Sequence, residues 1–251
     1  MSAQHTTDAM ANSAVGIELR RGTLVFGDKT VFKNLDLDVP AGRTTCLLGP
    51  SGVGKSSLLR MIAGLSPEAK AHKLTADDHA PIQGRIAYMD QRDLLLPWLS
   101  VLENVTLGAK LRHEHPSREK AVALLRRVGL EDEAEASPAE LSGGMRQRAA
   151  LARTLMEDRP IVLMDEPFSA VDALTRLHLQ DLAAEVLVGR TVMLVTHDPL
   201  EALRLGHRIL VLRGEPAQLA PSIEPAGQPP RPAGDPALHG QAAGILRDLA
   251  G

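Results

Sequence analysis

Long apolar runs, paired cysteines and a surplus of charge are all missing from this chain. No stretch of about 18 apolar residues occurs, so no segment reads as a membrane-spanning helix. The single cysteine, Cys46, has no partner for an internal disulfide. It falls in an apolar run and reads as a small buried core residue, in keeping with a cytoplasmic setting. A formal net charge of −3 over 251 residues gives no basic surface of the kind that grips nucleic acid. The N-terminus, Met1 to Val15, is polar and lacks the apolar core of a secretory signal; residues 1–15 are expected to form a disordered leader. What remains is ordinary for a globular protein, 44% hydrophobic and 24% charged, with length for one large α/β domain or two small ones.

Within that plain background, residues 49–56 read Gly49-Pro50-Ser51-Gly52-Val53-Gly54-Lys55-Ser56 and fill every fixed position of G-x-x-x-x-G-K-[ST]. The apolar run Thr45 to Leu48 before it suits a short buried strand, and Ser57 to Ala63 after it suits a helix. Gly52 and Gly54 permit backbone angles that turn successive amides toward an anion. The helix opening near Lys55 adds about half a positive charge at its N-terminus. In such a loop Lys55 reaches the β- and γ-phosphates and the Ser56 hydroxyl binds Mg²⁺.

Around this loop, alternation in Ile17-Glu18-Leu19 and in Leu35 to Val39 predicts a small antiparallel sheet. Residues 66–84 are polar and read as a surface loop ahead of the strand Arg85 to Met89. His72, Asp77, Asp78 and His79 in that loop match no metal-site spacing. Residues 101–135 read as helical, with Val122, Leu124, Leu125 and Val128 on one face and Gly129 closing the helix. The runs Ile161 to Met164 and Val192 to Val195 are continuously apolar, as in parallel strands buried on both faces, and Thr175 to Leu187 reads as the helix between them. Beyond Arg213, seven prolines from Pro216 to Pro236 predict an extended tail, with a short helix at about residues 242–249.

Two further stretches carry chemistry. Ile161-Val162-Leu163-Met164 ends in Asp165-Glu166, an apolar strand delivering two carboxylates beside a phosphate loop: Asp165 to fix Mg²⁺, Glu166 to face the attacking water. Leu141-Ser142-Gly143-Gly144-Met145-Arg146-Gln147-Arg148 precedes a helix-forming run, with Ser142 as N-cap and glycine amides at a second positive helix end. With these residues in place the chain resembles the nucleotide-binding subunit of an ATP-binding-cassette transporter, over about residues 17–213, and Leu141 to Gly144 is its most specific mark.

The resemblance implies an α/β fold: a P-loop NTPase core with a parallel sheet, an N-terminal antiparallel β-subdomain and an α-helical subdomain at about residues 92–155, within a domain of residues 16–213 followed by a Pro-rich tail, 214–251. It further implies that ATP and Mg²⁺ bind to Gly49 through Ser57, with Mg²⁺ on Ser56, Asp165 and Gln91. Phe26 would stack on adenine. Ser142, Gly143, Gly144 and Asp172 would face the nucleotide of a second copy, and Glu166, His197 and Lys55 would carry hydrolysis, His197 by holding the γ-phosphate. Departures are small: Met145, Val171 and Ser57 replace commoner residues, and none removes a catalytic group. The implied partners are a second copy of the chain, membrane-embedded permease subunits and, indirectly, a periplasmic or lipid-anchored solute-binding protein, at the cytoplasmic face of the cell membrane. Pro97-Trp98 after Gln91 resembles the importer subgroup for nitrate, sulfonates, taurine and hydroxymethylpyrimidine. The flanking segments most resemble the last of these, the thiamine-precursor importers, with sulfonate, taurine or nitrate uptake as the alternative and a non-transport cassette ATPase as a more distant one.

Overall fold

Alternating burial pairs the first two strands of the chain. In the computed structural model, which describes residues 14–250, Ile17–Phe26 (β1) and Lys29–Val39 (β2) form an antiparallel hairpin whose inward residues include Leu19, Leu24, Leu35 and Leu37. Residues 66–84, expected to be loop throughout, contribute a third strand, Lys73–Ala76 (β4), antiparallel to β1 from Ile17↔Ala76 to Arg20↔Lys73. Four residues are too few for alternation to stand out, and the strand is held partly by an ion pair between Lys73 and Glu18 that spacing along the chain does not reveal. Asp78, weighed above as a metal ligand, instead pairs with Arg85 at 2.8 Å.

The second sheet has the apolar parallel strands expected of it. Thr44–Leu48 (β3) lies between Thr191–Val195 (β7) and Arg208–Arg213 (β8), with Ile161–Asp165 (β6) parallel on the other side of β7 and Gln218–Leu219 (β9) antiparallel to β8. Every residue of β6 and β7 is buried, which is why neither alternates. Lys55–Ile62 (α1) follows β3 and packs toward β6 and β7. These elements form one compact unit, made of the described residues 14–86, 159–165 and 188–250.

A second unit comprises residues 87–158 and 166–187. The strand Ile86–Met89 (β5) begins at its boundary. Residues 101–135, expected to be helical, form two helices, Val101–Leu111 (α2) and Arg118–Arg127 (α3), separated around Pro116 because proline cannot continue the backbone ladder. Each has its own cap: Ser100 and Glu103 form a capping box on α2, and Ser117 Oγ accepts from Lys120 N on α3. Gly129 then closes α3 at φ +68°, as its position predicts. Gly143–Met156 (α4) and Ala173–Val186 (α5) complete the unit.

The two ends of the chain depart from expectation. Val15, assigned to the leader, is buried, and its carbonyl accepts from Thr191 Oγ1 at 2.7 Å; residues 1–13 lie outside the described part. The tail is not extended up to residue 242. Pro199–Leu205 (α6) packs against Pro236–Ala250 (α7), which buries Leu238, Ala242 and Ile245 along one face. Pro236 opens α7 rather than breaking it, since a first-turn residue has no ladder bond to lose, and Asp235 Oδ1 caps Ala237 N at 2.9 Å. Among the described residues no helix is long and apolar enough to cross a membrane.

Candidate functional site

In the first unit, three strands deliver their C-terminal ends to one edge of the parallel sheet. Val195 of β7 is in register with both Leu47 of β3 and Asp165 of β6. At about 4.8 Å between strands, Leu47 and Asp165 stand about 10 Å apart with β7 between them. The loop Gly49–Gly54 leaves β3 at this edge, Asp165 closes β6 here, and Thr196-His197 leave β7 between the two. Sequence motifs 110 residues apart, at Lys55 and Asp165, are thereby brought to one edge of the sheet, on strands separated only by β7.

The loop has the features of an anion cradle. Gly52 sits at φ +77° and Gly54 at φ +111°, and a Cβ at Gly54 would fall 2.5 Å from Val31 Cγ1. Gly54 also gives α1 no side-chain cap, and the first turn of α1 holds no acid. The helices α2 to α6 are each capped by a side chain, from Ser100, Ser117, Ser142, Asp172 and Asp198. The α1 amides are thus the ones left for an anion from outside the chain. Lys55 is 6% exposed, and its ammonium crosses the loop to donate to Gly49 O at 2.8 Å and Pro50 O at 3.0 Å. Ser56 and the fully buried Asp165 supply a hydroxyl and a carboxylate, hard oxygen donors of the kind Mg²⁺ prefers. Phe26 ends β1 at the hairpin and is 48% exposed. His197 is exposed just ahead of α6, whose N-cap Asp198 accepts from Leu200 N at 2.9 Å.

The second unit gathers the remaining candidates. Gln91 Nε2 donates to Glu166 Oε2 at 3.3 Å. Glu166 sits at φ +48°, in the left-handed region a non-glycine residue occupies only when its surroundings hold it there. What holds it is a residue that sequence reasoning passed over. The Gln147 amide donates to Glu166 O at 3.0 Å and Ser169 Oγ at 3.2 Å, and accepts from Ala170 N at 2.6 Å. Its signal was a glutamine on the buried face of α4, four residues past Gly143. Ser142 caps α4, its Oγ accepting from Met145 N at 3.2 Å, and Gly144 lies so close to Ala170 O that a Cβ there would be 3.0 Å away. Asp172 caps α5 through Leu174 N and Thr175 N, and a hydrogen bond with the Thr175 side chain, together with these amides, holds its carboxyl below the usual range. A cavity of about 460 Å³ opens beside these groups, lined by Gln91, Arg92, Asp93, Leu94, Gly143, Gln147 and Ala170.

A family model described as ABC transporter matches residues 32–169. The chain belongs to the ABC transporter family. It is an ATPase of that family, with the cassette fold the motifs implied. It is 44% identical to an uncharacterized ABC transporter ATP-binding protein of Haemophilus influenzae, over 91% of this chain and 96% of that one. It is 41% identical to an aliphatic sulfonates import ATP-binding protein of Burkholderia cenocepacia, over 92% and 86% of the respective chains. Among solved structures, a dimeric post-hydrolysis state of an ATP-binding cassette with ADP and phosphate is 29% identical, with a TM-score of 0.74 over 84% of this chain and all of that one. Two relatives, 41% and 50% identical, are named for aliphatic sulfonates import, the class given as the alternative in the sequence reading, and not for a thiamine precursor.

Beside the ABC motifs, a second unforeseen residue organises the segment after Gln91. The fully buried Asn104 accepts from Leu96 N at 2.7 Å and donates to Leu96 O, Leu99 O and Ser100 O. It thereby fixes the turn that presents Trp98, 74% exposed, and Leu94, 49% exposed. Arg153 braces the start of that turn through Asp93 O and Leu94 O, and Arg146 binds the Asp93 carboxylate at 3.1 Å.

Proposed function

We propose that the chain is the ATP-hydrolysing subunit of a bacterial importer for aliphatic sulfonates or a chemically similar small anion, acting as a pair of identical copies. The observation that carries the transport reading is the joint presence of the uncapped phosphate-loop helix and the Ser142-Gly143-Gly144 helix end in one chain. The solute class is supported by relatives 41% and 50% identical that are named for aliphatic sulfonate import.

Each ATP would sit on the Gly49–Ser57 loop of one copy, against the Ser142–Gly144 helix end of the other. Lys55 would exchange its two carbonyl partners for phosphate oxygens, and the exposed Phe26 would offer its ring to adenine. Mg²⁺, which Ser56 and Asp165 would hold, would neutralise charge on the transferring phosphoryl oxygens. Glu166 would orient the attacking water, its backbone held by Gln147 and its carboxylate by Gln91. His197 would hold the γ-phosphate, so that hydrolysis releases both helix ends together. The exposed Trp98 and Leu94 beside the cavity at Gln91 give a membrane partner an apolar seat, which would keep the subunit at the cytoplasmic face of the membrane.

Glu166→Gln tests the chemistry. The variant should bind ATP and accumulate as an ATP-bound dimer, with turnover lost; hydrolysis at the parent rate would overturn the role of Glu166. Deleting the gene tests the solute. Growth on an alkanesulfonate as sole sulfur source should fail while growth on sulfate continues, and a strain that instead needs added hydroxymethylpyrimidine would return the thiamine-precursor reading.

A further inference from the structure

We infer that Arg231, in the proline-rich tail, is a positioning residue for ATP hydrolysis, acting through α6 on His197. The inference rests on the reading of His197 as the γ-phosphate contact. Arg231 is 4% exposed, and each of its five N–H groups meets a backbone carbonyl. Nη1 donates to Leu203 O at 2.7 Å and Gly206 O at 2.8 Å, at the C-terminal end of α6. Nη2 donates to Pro225 O and Gly227 O, both at 2.8 Å, and Nε to Ala226 O at 2.7 Å, all in the tail. The Arg231 backbone N–H adds a bond to Arg204 O at 2.9 Å. One guanidinium therefore ties the tail to the end of a helix whose other end carries the Thr196-His197-Asp198 turn.

The helix needs such a tie. At seven residues α6 is too short to hold itself in water, and its last carbonyls have no partner within the helix. Arg231 supplies three of them, Leu203, Arg204 and Gly206, and places a positive charge at the negative end of the helix dipole. Below, α6 rests on β3: a Cβ added at Gly206 would lie 2.7 Å from Ala202 O and 3.1 Å from Cys46 Sγ. Above, α7 covers it with Leu238, Ala242 and Ile245. Strand, strap and cover leave α6 one position along its axis, and Asp198, capping Leu200 N, hands that position on to His197. The phosphate loop joins β3 to α1, and none of the six carbonyls that Arg231 bonds lies in either element, so nucleotide binding does not run through the strap. Lysine cannot replace the arginine here, because three donors at one point cannot span carbonyls that a planar fork reaches on two sides.

The experiment is steady-state ATPase measurement on the full chain with Arg231→Lys and Arg231→Ala, alone and combined with His197→Ala. Radiolabelled ATP resolves low residual turnover, and active sites are counted by titration with a fluorescent ATP analogue. Arg231→Lys should lower kcat about tenfold, the scale of a sub-ångström misplacement of a catalytic group, while KM for ATP stays within about twofold. In the His197→Ala background the same change should have no further effect on kcat, because the group it positions is gone. If Arg231→Ala does not fold, Arg231→Lys alone carries the test. An unchanged kcat in Arg231→Lys, a parallel change in kcat and KM, or the same fold loss with and without His197 would each overturn the inference. Parent-level turnover in His197→Ala alone would instead overturn the reading of His197.

Discussion

Replacing Asn104 by alanine isolates what one buried amide does for the surface that carries Trp98. Asn104 makes four hydrogen bonds to the backbone of residues 96–100. Two of its partners keep another bond without it: Leu96 O still receives Leu99 N at 3.1 Å, and Ser100 O still receives Asn104 N at 2.9 Å. Leu96 N–H and Leu99 O do not, so two backbone groups lose the bonds that Asn104 gives them. At about 1–1.5 kcal/mol each, the loss is about 2–3 kcal/mol, which for a chain of this size lowers the melting temperature by about 4–12 °C. Asn104→Asp should be worse, since it keeps the acceptor for Leu96 N but turns a carboxylate toward three carbonyl oxygens. Trp98 is the only tryptophan, so its fluorescence reads this turn directly. Thermal unfolding followed by circular dichroism gives the stability change, and steady-state anisotropy of Trp98 in the folded variant should fall as the turn loosens. A melting temperature within 2 °C of the parent together with unchanged anisotropy would show that the turn is held by something other than Asn104; the threshold is about half the smallest shift expected.

Lys55→Ala should weaken ATP binding itself, by at least about tenfold for a phosphate-contacting cation, in contrast to Glu166→Gln; unchanged affinity in a fluorescent-nucleotide titration counts against the phosphate-loop assignment. Acid should destabilise the fold through His207. Its Nδ1 accepts from Thr44 N at 3.0 Å, which requires that nitrogen unprotonated, and burial together with the Arg43 and Arg231 charges pushes its pKa below the ordinary histidine value. The unfolded chain therefore takes up this proton first as pH falls. The contribution is fully present above the unfolded pKa of about 6.5 and is lost as pH falls toward the folded value. Urea midpoints between pH 7 and 5 should fall less in His207→Asn than in the parent, and equal slopes would dismiss the histidine as the source.

How much of this could be read beforehand followed from what each residue bonds to. The strand, loop and helix around Gly49–Ser56, the strand ending at Asp165 and the helix capped by Ser142 were legible because their pattern is written in consecutive residues, in runs whose periodicity names strand or helix. Strand β4 was not, because four residues carry no measurable alternation and the partner of Lys73 is 55 positions away. Gln147, Asn104 and Arg231 were missed for a shared reason. Each satisfies loop carbonyls and amides that no ladder can reach, and which groups those are depends on the finished fold. The prolines of the tail pointed to extended backbone, and the buried arginine among them was the sign that the tail had somewhere to bind. The solute was illegible for a different reason: under the proposed reading no residue of this chain ever touches it.

The two helix ends proposed to meet ATP solve the same electrostatic problem differently, and the difference fits a site shared by two copies. At α1 the cap is Gly54, which offers no side-chain acceptor, so its first-turn amides are left without a cap from that residue. At α4 the cap is Ser142, whose oxygen already accepts from Met145 N. A hydroxyl that accepts still has its own proton to donate, so Ser142 can finish its helix and address an anion in the same conformation. Aspartate would cap α4 as well, as Asp172 and Asp198 do for α5 and α6, but its charge would repel the γ-phosphate. The uncapped end suits the loop that must wrap the triphosphate. The serine-capped end suits a surface that must stay folded while no nucleotide faces it and still bind one when the second copy arrives.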